Sequence, residues 1–353
     1  MSVHGSILAR LSTTLIRGSL VVPRVLARTT RGQTRHPHTG AVLDAHTAAY
    51  FALLRASGLP GLDRMPLVQL RDSYRISGAV MDVLPVRLAA VEDRELPGPN
   101  GYRVPVRVYT PEFTDDALPI LVYMHGGGFI MGDLDSHDAV CRRMAKGARC
   151  VVISVDYRLA PEHPFPAAPL DAYAAFQWIR AHAKMFGGTP ERVAIGGDSA
   201  GGNLALVTAL RARDAGEPTP CMLLLIYPGT DMTGSCPSRA VPEVEFYLTP
   251  QAIERFMTSY VPRGHDRRDP RMSPMFAETM RGLPHTRMIL AGFDPLRDEG
   301  LRVAERMRED RVDVVLSEEG ALAHGFLTMG GILPNAAQAL DRVVVELQRG
   351  LAR

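Results

Sequence analysis

Residues 197–201 of this 353-residue chain read Gly-Asp-Ser-Ala-Gly, a spacing that can turn a serine into a nucleophile. The run 192–195 before this motif predicts a strand, and the run 204–210 after it predicts a helix. A serine on such a sharp turn has strained backbone angles that push its hydroxyl out at the helix N-terminus. Side chains at Gly197 or Gly201 would clash there, so both glycines are predicted to support the turn. The motif predicts nucleophilic chemistry at Ser199, with a plain Gly-rich turn as the alternative.

A second motif, His125-Gly126-Gly127-Gly128, follows the apolar run 121–124. Loops of this type supply oxyanion holes, because their glycines leave backbone N–H groups open to a developing negative charge. A flexible turn is the alternative interpretation. A phosphate-binding loop is disfavoured, since neither a Gly-Lys-Ser/Thr ending nor a Gly-x-Gly-x-x-Gly spacing is present. Together the two motifs predict acyl-transfer chemistry more strongly than either does alone.

A serine nucleophile needs a base, which in this arrangement follows it in the chain. Three histidines lie downstream of the motif: His265, His285 and His324. His265 lies in a charged segment, and His285 comes just before a predicted strand. His324 follows the apolar run 312–316 in a predicted loop, where a base can lie over the sheet edge. Position therefore favours His324.

The base needs an orienting acid at the end of another strand. Asp294 directly follows the apolar run 288–291 and precedes Pro295. Asp298 and Glu299 come one turn later and resemble acids of a first helical turn, where they stabilise the helix dipole. Position favours Asp294 over Asp298, with a simple Asp-Pro turn as the alternative interpretation of Asp294.

The elements that must position these residues alternate along the chain. Strands are predicted near 85–92, 102–109, 119–124, 150–155, 192–196, 221–227, 287–291 and 312–317, and helices near 135–147, 167–185, 200–214, 296–309 and 335–349. Near-continuous apolar strands alternating with helices predict an α/β fold, in which both faces of a parallel sheet are covered. The alternation lapses between Tyr227 and Met288, which indicates an insertion above the sheet edge.

At this point the chain resembles a known family. Its motifs occur in the family's order: His125-Gly126-Gly127-Gly128, the Tyr-Arg-Leu-Ala-Pro-Glu segment at 157–162, the Gly-Asp-Ser-Ala-Gly motif, Asp294-Pro295-Leu296-Arg297-Asp298-Glu299-Gly300, and His324-Gly325-Phe326. Over about residues 44–350 they resemble the bacterial hormone-sensitive-lipase-like esterases (family IV, Gly-Asp-Ser-Ala-Gly branch).

The resemblance implies an α/β-hydrolase fold, with a mostly parallel eight-stranded sheet flanked by helices and covered by a helical cap. It implies roles for three side chains: Ser199 as nucleophile, Asp294 as acid and His324 as base. The N–H groups of Gly127, Gly128 and Ala200 would form the oxyanion hole, with His125 and Gly126 supporting their loop. The segment that begins at Tyr157 would brace these loops.

We therefore expect a carboxylic ester hydrolase that acts on short- to medium-chain acyl esters through an acyl-enzyme, without metal or organic cofactor. An aryl-amide deacetylase or amidase with the same triad is the alternative. A non-catalytic receptor is disfavoured, because the plant gibberellin receptors that share this fold lack the catalytic histidine, which His324 supplies here. The sequence leaves homodimer formation open.

The motifs suggest how the chain is divided. We predict a basic N-terminal extension (1–43), an N-terminal cap part (44–80), a first catalytic part (81–231), a cap insertion (232–270) and a second catalytic part (271–353). The extension has six arginines and no acidic residue. An accessory helix or disordered extension is favoured there over membrane-surface contact by residues 1–40.

Composition agrees with an enzyme of this kind. A 46% hydrophobic content is enough for one large core and a smaller lobe. The net charge of +2 indicates no nucleic-acid partner. No run approaches 18 apolar residues, so we expect a cytoplasmic protein without a membrane span. The four cysteines lack metal-binding spacing and are predicted to be free thiols.

Overall fold

The computed structural model describes residues 34–241 and 248–353, and an eight-stranded sheet lies at its centre. Its strands are β1 (Ala90–Pro97), β2 (Arg103–Thr110), β3 (Leu118–Met124), β4 (Val151–Val155), β5 (Gly188–Asp198), β6 (Leu223–Ile226), β7 (Thr286–Phe293) and β8 (Val314–Ala323). They lie in the order β1-β2-β4-β3-β5-β6-β7-β8. Only the β1–β2 and β2–β4 pairs are antiparallel. The predicted mostly parallel eight-stranded sheet is confirmed.

Helices cover both faces of the sheet. Their bounds are α1 (Ala45–Ala56), α2 (Leu67–Met81), α3 (Asp138–Ala148), α4 (Ala167–Ala181), α5 (Ala200–Asp214), α6 (Pro250–Tyr260), α7 (Arg297–Glu309) and α8 (Pro334–Leu351). Buried side chains of α4, α5 and α7 share one apolar core. Buried side chains of α1, α3 and α8 share the core on the opposite face.

Strand β3 shows why the central strands are continuously apolar. All of its residues are buried, yet neighbours along the strand point to opposite faces. Val122 and Met124 belong to one core, whereas Leu121 and Tyr123 belong to the other. A strand between two helical layers must therefore be apolar at every position, which is the pattern that indicated the fold.

The two strands at the ends of the sheet differ from their predicted bounds. The first strand was predicted at 85–92, but β1 spans Ala90–Pro97. This strand forms an edge and carries four exposed charged residues in succession, Glu92 to Glu95, so no apolar run marks it. Pairing with β2 along its whole length determines its position instead. The last strand continues to Ala323, six residues beyond the predicted end at 317, because it pairs with β7 as far as Phe293.

Among the residues that the structure describes, the segments predicted to form a cap contain three α-helices. Helices α1 and α2 lie near residues 44–80, and α6 lies within residues 232–270. Helix α1 packs into the core beside α8, whereas α2 and α6 reach the carboxyl edge of the sheet. Residues 1–33, most of the predicted basic extension, lie outside the described residues, so the structure does not bear on the membrane-contact alternative.

The described residues show two further features. All four cysteines are free thiols, as predicted. Within the described ranges, no helix is both long enough and apolar enough to cross a membrane.

Candidate active site

Ser199 lies on the sharp turn between β5 and α5. Its φ of 54° and ψ of −116° place it in a strained region for a residue with a side chain. Two flanking glycines make the turn feasible. A Cβ on Gly197 would lie 2.3 Å from the carbonyl oxygen of Met124, and one on Gly201 would lie 1.9 Å from the same oxygen. The turn therefore packs directly against the end of β3.

A continuous hydrogen-bonded chain runs from Ser199 to a buried acid. The Nε2 atom of His324 lies 3.0 Å from Ser199 Oγ, and its Nδ1 atom lies 2.7 Å from Asp294 Oδ2. Asp294 is fully buried, and its other oxygen accepts the backbone N–H of Leu296 at 2.8 Å. This second bond fixes the carboxylate toward the imidazole.

The residues that competed for these roles have other partners. Asp298 accepts the backbone N–H of Ser238 at 3.0 Å and pairs with Arg297. His265 pairs with Asp269 at 2.8 Å, and His285 lies just before β7, at the opposite edge of the sheet. The structure thus brings together Ser199, Asp294 and His324, and none of the alternatives.

The glycine loop at 125–128 lies beside Ser199. Gly127 and Gly128 have φ angles of 127° and 60°, in the left-handed region that favours glycine. Among the described residues, no group accepts the backbone N–H of Gly127, Gly128 or Ala200. All three residues line the cavity that Ser199 faces. The loop thus provides the open donors that an oxyanion hole requires.

The Tyr-Arg-Leu-Ala-Pro-Glu segment braces this loop. The Tyr157 hydroxyl donates to the carbonyl oxygen of His125 at 2.8 Å, and the two rings stack with centroids 4.3 Å apart. Arg71 of α2 forms a bidentate pair with Glu162 and donates to the carbonyl oxygen of Ile130 at 2.8 Å. One arginine therefore connects the cap, the bracing segment and the residues that follow the glycine loop.

Asp198 forms a network that sequence reasoning missed. Its Oδ1 atom accepts the Tyr123 hydroxyl at 2.7 Å and the Gly126 N–H at 2.9 Å, and it lies 3.2 Å from His137 Nε2. The sequence offered little signal, because Asp198 occupies the variable position of Gly-x-Ser-x-Gly and His137 lies in no motif considered. Only the structure shows that Asp198 is buried and that a cation must lie nearby.

Mutual stabilisation determines the charges in this network. Burial alone would raise the pKa of Asp198, but the charge of His137 and the hydrogen bonds hold that pKa below its usual value. Burial likewise acts to lower the pKa of His137, but the Asp198 carboxylate overcomes it and raises this pKa. Burial and the neighbouring His137 lower the pKa of His125 to about 4. Near neutral pH, Asp198 is therefore anionic and His125 is uncharged.

An apolar cavity of about 660 Å³, partly open to solvent, lies above Ser199. The segments predicted to form a cap contribute Tyr74 from α2 and Ile253, Phe256 and Met257 from α6. Phe256 packs so closely on the glycine loop that a Cβ on Gly128 would lie 2.4 Å from its ring. The cap therefore forms the cavity wall directly above the open N–H donors.

Helix α6 was another element that sequence analysis did not locate. Its N-cap Thr249 accepts the N–H of Ala252, and Pro250 occupies the first turn. Ile253, Phe256, Met257 and Tyr260 follow at helical spacing and are buried. This Thr-Pro start and apolar stripe were readable signals of a helix inside the insertion.

Arg239 adds a charged side chain to the mainly apolar cavity wall. Arg239 lines the cavity and donates through Nε and Nη2 to Glu299 Oε2, at 3.1 and 2.8 Å. Glu299 Oε1 accepts the backbone N–H of Thr230 at 2.6 Å. Glu299, which the sequence suggests as a helix-dipole acid, therefore fixes the loop after β6 to α7.

In the described parts of the chain, no three His, Cys, Asp or Glu side chains are grouped to hold a metal ion.

A serine on a strand-to-helix turn, with an acid and a histidine after later strands of a mostly parallel sheet, defines the α/β-hydrolase class. A sequence profile described as "alpha/beta hydrolase fold" matches residues 121–328. The chain belongs to this family, and its resemblance to the hormone-sensitive-lipase-like esterases is confirmed.

Several similar proteins have names that mention esters. Carboxylic ester hydrolase LipN of Mycobacterium tuberculosis is 45% identical over 269 residues, which cover 74% of this chain and 71% of that protein. Ethyl acetate hydrolase of Pseudomonas putida is 34% identical, over 88% of this chain and 99% of that protein. The solved structure of ester-hydrolase EH1AB1 from the metagenome of Lake Arreo, complexed with a bipyridine phosphonate derivative, is 38% identical. It has a TM-score of 0.84 and covers 88% of this chain and all of that one.

Proposed function

We propose that this protein hydrolyses carboxylic esters, with Ser199 as nucleophile, His324 as general base and Asp294 as the orienting acid. The observation that carries the proposal is the hydrogen-bonded chain from Ser199 through His324 to Asp294, at 3.0 and 2.7 Å. The open N–H groups of Gly127, Gly128 and Ala200 beside Ser199 support it. The names of the similar proteins agree with this chemistry.

The geometry supports a two-step reaction. Ser199 Oγ attacks the ester carbonyl carbon while His324 Nε2 takes its proton. Asp294 holds the imidazole in the tautomer that accepts at Nε2, and it stabilises the resulting imidazolium. The three backbone N–H groups bind the oxyanion until the C–O bond breaks and His324 gives its proton to the leaving alcohol. A water deprotonated by His324 then releases the acid from Ser199.

The cavity favours acyl chains of short to medium length. Its apolar wall gains about 0.8 kcal/mol for each methylene that it buries. The cavity is partly open to solvent but is walled by side chains of α2 and α6, so this gain must stop when the chain reaches the wall. The name of the related ethyl acetate hydrolase agrees with a small ester as the substrate.

A graded series of p-nitrophenyl esters from acetate to palmitate tests the proposal. We expect kcat/KM to rise with chain length and to peak between about four and eight carbons. A maximum at palmitate would contradict the chain-length proposal. The matching p-nitroanilides should react far more slowly, and faster anilide cleavage would favour the amidase alternative. A fluorophosphonate probe should label Ser199, and labelling of a different serine would refute the assignment of the nucleophile.

A further inference from the structure

We propose that His137 is a positioning residue, which holds the glycine loop against the nucleophile turn through the Asp198 carboxylate. The inference rests on the proposed function, because it concerns how the oxyanion donors are kept in place. His137 has no role in the triad chemistry. It acts on the reaction only through Asp198 and Gly126.

Asp198 joins the two halves of the site. It directly precedes Ser199 in the chain, so its backbone is part of the nucleophile turn. Its side chain accepts the N–H of Gly126, the residue just before the donors Gly127 and Gly128. The contact is close, since a Cβ on Gly126 would lie 2.3 Å from Asp198 Oδ2. A displacement of the carboxylate therefore moves the oxyanion donors relative to Ser199.

His137 is the group that can hold this carboxylate in place. Its imidazole is fully buried, and Nδ1 lies 3.0 Å from Ser136 Oγ. Nε2 lies 3.2 Å from Asp198 Oδ1, an ion-pair distance without the alignment of a hydrogen bond. A buried carboxylate without a cation tends to take up a proton or to move toward water. Tyr123 adds a neutral hydrogen bond to the same oxygen. His125, the other nearby imidazole, does not supply the charge, because its pKa is about 4.

His137 is fully buried, so it is a positioning residue rather than a catalytic one. His137 does not line the cavity above Ser199, so substrate does not touch it. Loss of the pair should misplace the donors and weaken only interactions made with the oxyanion. Such misplacement by about 1 Å can lower a rate on the order of 100-fold, while substrate binding in the apolar cavity is kept.

The test compares His137→Gln with His285→Gln, in which a half-buried histidine at the opposite end of the sheet is changed. Active-site titration with a fluorophosphonate gives the concentration of competent enzyme, and p-nitrophenyl butyrate gives kcat and KM. A short-chain alkyl trifluoromethyl ketone reports on the oxyanion hole. Ser199 Oγ adds to its carbonyl carbon, and the carbonyl oxygen becomes the bound oxyanion.

For His137→Gln we expect kcat per titrated site to fall by about 10- to 100-fold with KM nearly unchanged. Ketone affinity should fall by a similar factor, and His285→Gln should behave as wild type in both assays. A folded His137→Gln with lower thermal stability but normal kcat and ketone affinity would overturn the proposal, since its role would then be structural only. A wild-type protein that neither hydrolyses the ester nor binds the ketone would instead refute the proposed function.

If His137→Gln does not fold, Asp198→Asn decides the question. This change removes the carboxylate charge that faces His137 and keeps an oxygen that can accept the N–H of Gly126. We expect kcat per titrated site and ketone affinity to fall together by about tenfold. Normal values of both for a folded Asp198→Asn would overturn the proposal.

Discussion

Two histidine–aspartate pairs lie near Ser199. In each pair one imidazole nitrogen faces the carboxylate, and the pairs differ in the group that the other nitrogen faces. In the His324–Asp294 pair, Nε2 faces Ser199 Oγ at 3.0 Å, and the ring borders the cavity. In the His137–Asp198 pair, the remaining nitrogen faces Ser136 Oγ, and the ring is fully enclosed. We therefore propose that the same two residue types support proton transfer in one place and fixed positioning in the other.

The two imidazoles differ in their access to the cavity, because His324 lines it and His137 does not. A general base must reach the nucleophile and exchange a proton in every turnover, so it needs access to the site. A positioning pair works best when its charges stay where they are, and full burial next to an opposite charge favours that state. In the proposed mechanism, one pair takes the proton and the other aligns the oxyanion donors.

The largest effect is expected when the Ser199 hydroxyl, which faces the His324–Asp294 pair, is removed. We expect Ser199→Ala to lower kcat by on the order of 10⁵- to 10⁶-fold, because the bond-forming oxygen is lost. Ester hydrolysis and thermal unfolding are the measurements, and the unfolding midpoint should stay close to that of wild type. Substantial remaining turnover would mean that another group attacks the ester.

The next test separates the two carboxylates near His324. Asp294→Asn should lower kcat by about 10⁴-fold, because an amide stabilises the wrong imidazole tautomer. Asp298→Asn is the matched control and should lower kcat by less than about tenfold, since Asp298 pairs with Ser238 and Arg297 instead. Both values come from ester hydrolysis by titrated enzyme. The reverse ranking would assign the acid to Asp298.

The cavity that His324 borders provides a third test. Phe256→Ala should remove part of the wall above Gly128 and shift the preferred acyl chain to a greater length, with KM for the butyrate ester raised about tenfold. Thr258→Ala, on the exposed side of the same helix, serves as control. An unchanged chain-length profile for Phe256→Ala would show that α6 does not limit the acyl chain.

The smallest expected effect is on the free energy of unfolding. The pair between His137 and Asp198 should make it depend on pH. The pKa of His137 is raised in the folded state, so the folded protein keeps this proton above pH 6.5, where an unfolded histidine loses it. Stability from this group is thus fully present below about pH 6.5 and is lost as pH rises through the folded pKa.

Urea unfolding at several pH values measures this contribution. The free-energy difference between wild type and His137→Gln should shrink above about pH 6.5, by at most about 1.4 kcal/mol per pH unit. Asp198, Asp82 and Asp133 all favour the charged imidazole, whereas His125 is uncharged in this range. A difference that stays constant from pH 6 to pH 9 would mean that the charge of His137 does not stabilise the fold.

Local sequence determined several features of this protein by itself. The glycines around Ser199 predict the strained turn, because a sharp strand-to-helix turn leaves no room for side chains on either side of the serine. The continuous apolar strands predict a sheet covered on both faces, since a strand between two helical layers has no polar side. These features depend on neighbours along the chain or on the period of a single element.

Other features were decided only by the tertiary structure. Sequence position left Asp298 open as an alternative to Asp294 until the fold placed Asp294 at 2.7 Å from His324. Strand β1 lay five residues from its predicted start, because pairing with β2 rather than its own charged sequence determines its register. The pair between His137 and Asp198 joins residues far apart in the chain. Burial and proximity give these side chains their charges and partners, and both arise only when distant segments pack together.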